Sequence, residues 1–261
     1  MAPGVPPEIP PETPFLDLVA RLREDVDVIG AVLTGSRGRG AFVHAESDWD
    51  LRIFAEGAPS ARERYATGHG SVVEAVVMPR RALEDLADPT SAMAWDRYSY
   101  VHAAVVVDRT GGMFETAIAG METLSAESAR SIASLSLDDY INSFFRSLKN
   151  DRAGLIAESH LDAGESLSPL LTTLFAIHGR VRPFNKFLGW ELETHPLPGD
   201  RWTAASLLPR LVEIQSTGTV AAQARLFRDL ETVARDAGLG EVIDSWEPDV
   251  LWLRSGIAGG G

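Results

Sequence analysis

The chain contains no cysteine, which excludes disulfides, thiolate metal sites and a cysteine nucleophile together, so any bound metal must be held by oxygen or imidazole. Lysine is nearly absent as well: of 24 basic residues only Lys149 and Lys186 are lysine. A coding bias toward arginine accounts for that background, and a lysine kept against it is a candidate for a place where a compact ammonium is wanted. Positive charge is short overall, with 24 basic against 37 acidic residues and a formal net charge of -13. Such a field repels nucleic acid and anionic membranes at long range and attracts small cations, although a local basic pocket is still allowed. No apolar run approaches the roughly 20 residues needed to span a bilayer. Six prolines fall within residues 1–14, where neither a basic nor an apolar signal-peptide region is found. The expectation is a cytoplasmic protein with a proline-rich mobile tail over residues 1–14. His178 and His195 have no H-x-x-x-H partner, so neither reads as a zinc ligand.

What the chain does contain is a change of pattern along its 261 residues. The first half mixes periods of 2 and 3.6. Residues 15–24 read as an amphipathic helix, and 26–33, 48–54, 71–78 and 101–107 as strands, with a short helix opened by the turn at 35–40, an exposed connection over 56–70 and a helix over 80–88. Beyond residue 114 only the helical period continues. A capping box at Ser136 and Asp139 predicts one helix start and Ser168-Pro169 a second. Further helices are expected over 203–214, 220–237 and, more briefly, 247–254. The fold class expected is α+β: a domain over 15–118 with a mixed sheet flanked by helices, then an all-α domain over 119–261.

Chemistry concentrates in residues 32–53, VLTGSRGRGAFVHAESDWDLRI. Glycines at 35, 38 and 40 let the backbone approach a phosphate closely, the helix start behind them aims free N–H groups at an anion, and Ser36 adds a hydroxyl. The stretch is neither a Walker A loop nor a full G-x-G-x-x-G fingerprint. Side chains alternate along a strand, so Asp48 and Asp50 share one face and Trp49 takes the other. Two carboxylates on one face can share divalent cations. Glu74 is the single charge in the apolar run 71–78, a position costly to a carboxylate unless it is paired or ligates metal.

Gly35-Ser36, followed by Asp48-x-Asp50 on one strand and Glu74 on the next, resembles the polymerase-beta type nucleotidyltransferase superfamily. The resemblance implies an N-terminal nucleotidyltransferase domain in which Asp48 and Asp50 hold Mg²⁺, two ions in all, bridging the triphosphate of ATP, while Gly35 and Ser36 position its β- and γ-phosphates. Glu74 would complete the second metal site, accept the proton of the attacking hydroxyl, or both. Arg39 is preferred to Arg37 as a phosphate contact, Ser47 caps the strand entry or orients Asp48, and Arg52 shares the aspartates' face either as their ion-pair partner or as a phosphate contact.

The helical half resembles, more loosely, the C-terminal domain of aminoglycoside and lincosamide adenylyltransferases. That likeness implies transfer of AMP from ATP to a hydroxyl of a small cationic molecule, with donor and acceptor in a cleft between the domains. Lys186 is then the nucleotide contact, or else a surface lysine. Glu158, Asp162 and Glu165 recur at i, i+4 and i+7 and either receive the acceptor's amines or form a solvated helix face. Arg146, Lys149 and Arg152 form a parallel basic row that can pair with them. Two alternatives keep the same fold: a toxin–antitoxin-type transferase acting on a partner protein or tRNA, the latter opposed by the net charge, and a nucleotide-binding protein without catalysis. Oligomeric state is not legible.

Overall fold

Val28–Leu33 forms the strand on which the first unit is built, β1, because all six of its side chains are buried and four of them are apolar residues larger than alanine. The computed structural model describes residues 12–256, so the expected tail lies almost wholly outside the described residues. Its last residues, however, already belong to helix α1, Thr13–Glu24, with proline in the first turn where its missing N–H costs nothing. Phe15, Leu18, Val19 and Leu22 form the buried stripe of α1, at the i, i+3, i+4, i+7 spacing read from the sequence.

After β1 come α2 (Gly35–Arg39), β2 (Trp49–Ala55), α3 (Ala58–Tyr65), β3 (Val73–Pro79), α4 (Ala82–Ala87), a 3-10 turn (Ala94–Tyr100), β4 (Ala104–Asp108) and α5 (Met113–Ala119). The strands lie in the order β3-β2-β1-β4. β1 runs antiparallel to β2 and β4, while β2 and β3 run parallel. The sheet is therefore mixed, as expected, and α3 is a helix of this unit that the sequence pattern hid. Its face is weak, with Ala58, Ala61 and Tyr65 as its buried residues, so the polar residues 56–70 read as a loop.

The two faces of the sheet differ. On one, Trp49, Leu51, Ile53, Val73, Ala75 and Val77 pack with the stripe of α1, and Trp49 stacks on Phe15 with ring centroids 4.1 Å apart. On the other, Phe54 and Met78 meet Phe114, Ile118 and Tyr100. Gly30 permits that packing, since a Cβ there would lie 2.5 Å from the Phe114 ring. Following the second face along β2 and β3 toward their N-terminal ends, Asp50, Arg52 and Glu74 replace the apolar residues. The outer edge of β3 is covered by Thr67, whose N–H donates to Ala75 O at 3.1 Å and whose hydroxyl accepts from Ala75 N at 2.8 Å and donates to Val73 O at 2.6 Å.

A polar cluster ties α3 to the loop after α1. Tyr65 donates its hydroxyl to Asp25 at 2.7 Å, and Arg64 reaches Asp25 and Asp27 at 2.9 and 2.8 Å. The Tyr65 hydroxyl, foremost, and then the Asp27 N–H and the Arg64 guanidinium hold the Asp25 carboxyl below its ordinary value against the opposing effect of burial. A carboxyl whose folded pKa lies under its unfolded value of about 3.9 contributes stability at higher pH and loses it as pH falls through the folded pKa. Tyr65→Phe is therefore expected to cost about 1 to 2 kcal/mol at neutral pH and to move acid unfolding, followed by circular dichroism, to higher pH.

The chain divides into compact units at Glu122/Thr123 rather than at 118/119, because α5 and the 3-10 turn Gly120–Glu122 still pack on the sheet through Phe114, Ile118 and Met121. The second unit is all α: α6 (Ala126–Arg152), α7 (Ile156–Ile177), α8 (Asn185–Thr194), α9 (Ala204–Thr217), α10 (Val220–Asp236), α11 (Gly240–Asp244) and α12 (Val250–Ser255). Two expected helix starts are corrected. α6 opens at Ser125, whose hydroxyl accepts from Ser128 N, so Ser136 lies mid-helix. Pro169 lies inside α7. In both cases a local cap signal was overridden by a longer apolar stripe running through it, here Leu137, Tyr140, Ile141 and Phe144 in α6 and Leu170, Leu171 and Leu174 in α7.

Buried polar atoms without a partner among the described residues of this unit include Tyr140 Oη and Gln223 Oε1. Leaving a hydroxyl desolvated and unpaired is unfavourable, so Tyr140→Phe is expected to raise stability by about 1 kcal/mol in denaturant unfolding. A loss of similar size would show that the hydroxyl is satisfied. None of the described helices is long and apolar enough to cross a membrane.

Candidate metal centre

Asp50 is the second residue of β2, and Glu74 is its direct register neighbour on the parallel strand β3. Asp48 immediately precedes β2, two residues from Asp50 and hence on the same side, while Trp49 turns into the opposite core. Asp48, Asp50 and Glu74, all half-buried, can each offer an oxygen such that the three lie within 4.8 Å of one another. Three hard oxygen donors at that spacing suit a divalent cation of the Mg²⁺ type, which takes carboxylates and retains waters at the open positions.

The GS turn is built around this group. Thr34, at the end of β1, donates its N–H to Asp50 O at 2.8 Å and its hydroxyl to the same oxygen at 3.2 Å, which fixes the turn beside β2. Gly35 follows with φ +65°, and a Cβ on it would lie 2.1 Å from Asp50 Oδ2. The glycine is required twice over, by its left-handed backbone and by the carboxylate that occupies the space of a side chain. Ser36 is buried, at 7% exposure, in the first turn of α2, whose opening amides have no intrahelical acceptors.

Glu74 is clamped on its outer side by residues with no signal in the sequence. Gly70 donates its N–H to Glu74 Oε1 at 2.5 Å, and His69 Nδ1 approaches the same oxygen at 2.8 Å from an almost fully exposed imidazole. The Gly70 N–H, assisted by His69 and Arg52, holds the Glu74 carboxyl below its ordinary value despite partial burial. Glycine-rich residues 68–70 read as a turn; that the turn reaches back to Glu74 depends on the parallel register.

The remaining candidates are placed as follows. Arg39 lies in α2 and donates to Gly35 O at 3.2 Å and to Tyr98 O, with its guanidinium 4.7 Å from the Tyr98 ring. Arg37 donates to Ser47 O at 3.1 Å and lies 4.3 Å from the Trp49 ring. Ser47 is buried, and its hydroxyl accepts from His44 N at 3.0 Å, which shapes the approach to Asp48. Arg52 acts electrostatically on Glu74 and hydrogen-bonds the buried Tyr100 hydroxyl, partners other than the two aspartates expected from the sequence.

In the second unit, Lys186 is exposed in the first turn of α8, with its ammonium 5.4 Å from the Phe187 ring. Glu158, Asp162 and Glu165 all lie on α7. Arg146 bridges Asp162 at 3.0 Å and Glu165 at 2.7 Å, and Asn150 donates to Asp162 at 2.8 Å. Lys149 and Arg152 instead lie over the rings of Phe145 and Trp252. Glu158 is exposed and makes no ion pair among the described residues.

No family model and no curated protein matches the chain. Among solved structures, the fold is similar to that of a nucleotidyltransferase-like protein from Exiguobacterium sibiricum, with 10% identity, 90% of each chain covered and a TM-score of 0.43. A likeness that distant carries no weight on the chemistry.

Proposed function

We propose that the first unit is the donor half of a Mg²⁺-dependent nucleotidyltransferase that moves AMP from ATP to a hydroxyl of a small, cationic acceptor and releases pyrophosphate. The observation that carries the proposal is the grouping of Asp48, Asp50 and Glu74 around a GS turn whose glycine makes room for the Asp50 carboxylate. Asp48 and Asp50 would hold Mg²⁺, with Glu74 completing the set. Bound Mg²⁺ supplies charge neutralisation at the triphosphate and stabilises the oxygens entering and leaving the α-phosphorus.

The chain's own residues do the positioning. Gly35 and Ser36 bring the backbone against the β- and γ-phosphates, where the first amides of α2 can donate. Glu74, whose carboxyl the Gly70 N–H holds below its ordinary value, is better suited to ligation than to proton abstraction, since lowering the pKa of a base weakens it. Arg39 is committed to carbonyls through two of its donors, so its part is to fix the turn rather than to meet phosphate. On α7, Glu158 offers an exposed carboxylate for an amine, whereas Asp162 is already bridged by Arg146.

The test is pyrophosphate release from ATP and Mg²⁺ by the full chain against a panel of aminoglycosides and lincosamides. Release that requires both the metal and a panel member supports the reading. Binding of ATP without release, with any member, favours a nucleotide-binding protein on the same fold. An AMP adduct found by intact mass on a co-expressed protein favours a protein acceptor.

A further inference from the structure

We infer that the helical unit holds a binding site for a small aromatic carboxylate, at the end of α6 where α12 packs against it. Phe145, Lys149, Arg152, Ala153 and Trp252 line a groove of about 370 Å³ there, and none of the five is acidic. Pockets that hold small ligands begin at roughly 300 Å³, so an acid of one or two rings is of the size that fits.

The floor is aromatic. Phe145 on α6 meets Trp252 on α12 with ring centroids 6.0 Å apart, and Trp246 at 5.7 Å. All three rings are partly buried against the core of the unit, which holds them in place. Trp246 donates its indole N–H to Asp138 at 2.8 Å, whereas the indole N–H of Trp252 meets no acceptor among the described residues. A ring entering the groove gains aromatic contact, and an oxygen carried beside it has a donor to meet.

The rim is cationic. Of the row Arg146, Lys149 and Arg152, which the spacing matched to the acids of α7, Arg146 makes that pairing. The Lys149 ammonium instead lies 5.5 Å from the Phe145 ring and the Arg152 guanidinium 5.4 Å from the Trp252 ring, and neither side chain has an ion pair or hydrogen bond among the described residues. Cations near the C-terminus of a helix complement its dipole, which accounts for their sign but not for the rings that both of them cover. Residues three apart on a helix share a face, so one carboxylate can meet both. A cation over an exposed ring is held weakly, and a carboxylate gives it a stronger, charge-assisted bond. The chain's formal charge of -13 opposes an anion at long range, but physiological salt screens that field beyond about 8 Å, so the two cations decide at contact.

The site rests on neither the metal centre nor the transferase reading. The test titrates the full-length protein, by two-dimensional NMR of its amide and indole N–H groups, with indole-3-acetate. Indole-3-acetamide supplies the same ring without the charge, and acetate the charge without the ring. Trp252→Phe identifies the Trp252 indole signal. Saturable shifts of that signal and of the amides at the end of α6 and in α12 are expected with indole-3-acetate, weaker binding with the amide and no saturation with acetate. Lys149→Gln combined with Arg152→Gln, both at exposed positions, is expected to weaken the acid about tenfold and to leave the amide unchanged, so binding of the amide also reports that the double variant is folded. Equal binding of acid and amide, acetate binding as tightly as indole-3-acetate, shifts away from α6 and α12, or a double variant that binds the acid like the parent would each overturn the inference.

Discussion

Asp50→Asn is expected to lower pyrophosphate release by about 10³-fold while leaving the fold intact. The substitution keeps the volume of the side chain and removes only the charge, so the turn, the strand pairing and the two bonds from Thr34 to the Asp50 carbonyl survive. What is lost is the central anionic donor of a set whose oxygens lie within 4.8 Å of one another. A bound cation is worth several kcal/mol of charge stabilisation to a phosphoryl transfer, and each 1.36 kcal/mol of barrier is about tenfold in rate. The same change also gives a readout that needs no acceptor. A ligand present at ten times its Kd stabilises the folded state by about 1.4 kcal/mol, so Mg²⁺ should raise the melting temperature of the parent by several degrees and that of Asp50→Asn by none. A parent protein indifferent to Mg²⁺ would remove the metal centre from consideration.

Gly35→Ala should be as damaging, for a different reason. Alanine at φ +65° carries about 1 kcal/mol of backbone strain or somewhat more, and its Cβ would stand 2.1 Å from Asp50 Oδ2. One of the two must move, and overpacking of this kind typically adds about 1 to 3 kcal/mol. The expected outcome is a protein destabilised by about 2 to 4 kcal/mol with pyrophosphate release lost along with the Asp50 geometry. A double-mutant cycle isolates the clash: with Asp50→Ala in place, the nearest remaining atom of residue 50 is its Cβ at 3.4 Å, ordinary contact, so the second substitution should then cost only the backbone strain. Additive costs would show that Gly35 is needed for its conformation alone.

These two residues also mark how far the sequence could be read. Gly35, Asp48, Asp50 and Glu74 were legible because strand alternation is strict: once two apolar runs are taken as strands, the side on which each carboxylate stands follows. The pairing of Asp50 with Glu74 was not legible, because it depends on β2 and β3 being parallel neighbours in a particular register, and register is set by turn geometry and by the far core. The clamp from His69 and Gly70 was hidden for the same reason. The bonds of Arg39 to the carbonyls of Gly35 and Tyr98 were not legible either, because an arginine in a glycine turn looks the same whether its donors face an anion or carbonyls. In the helices the errors were of another kind. Ser136 and Pro169 carry sound local signals for a helix start, yet each sits in the interior of a helix of 27 or 22 residues, where burial of a continuous stripe outweighs a cap.

The Thr67 loop has a consequence for association. β3 is a terminal strand of its sheet, and a terminal strand ordinarily presents a row of unpaired amides and carbonyls on which a foreign chain can add. Here Ala75 spends both of its outward groups on Thr67, and Val73 spends its carbonyl there as well. Pro79 closes the far end of the strand and has no N–H to offer. The row is therefore too short to template another strand, and the loop that clamps Glu74 at Gly70 also keeps this edge from polymerising.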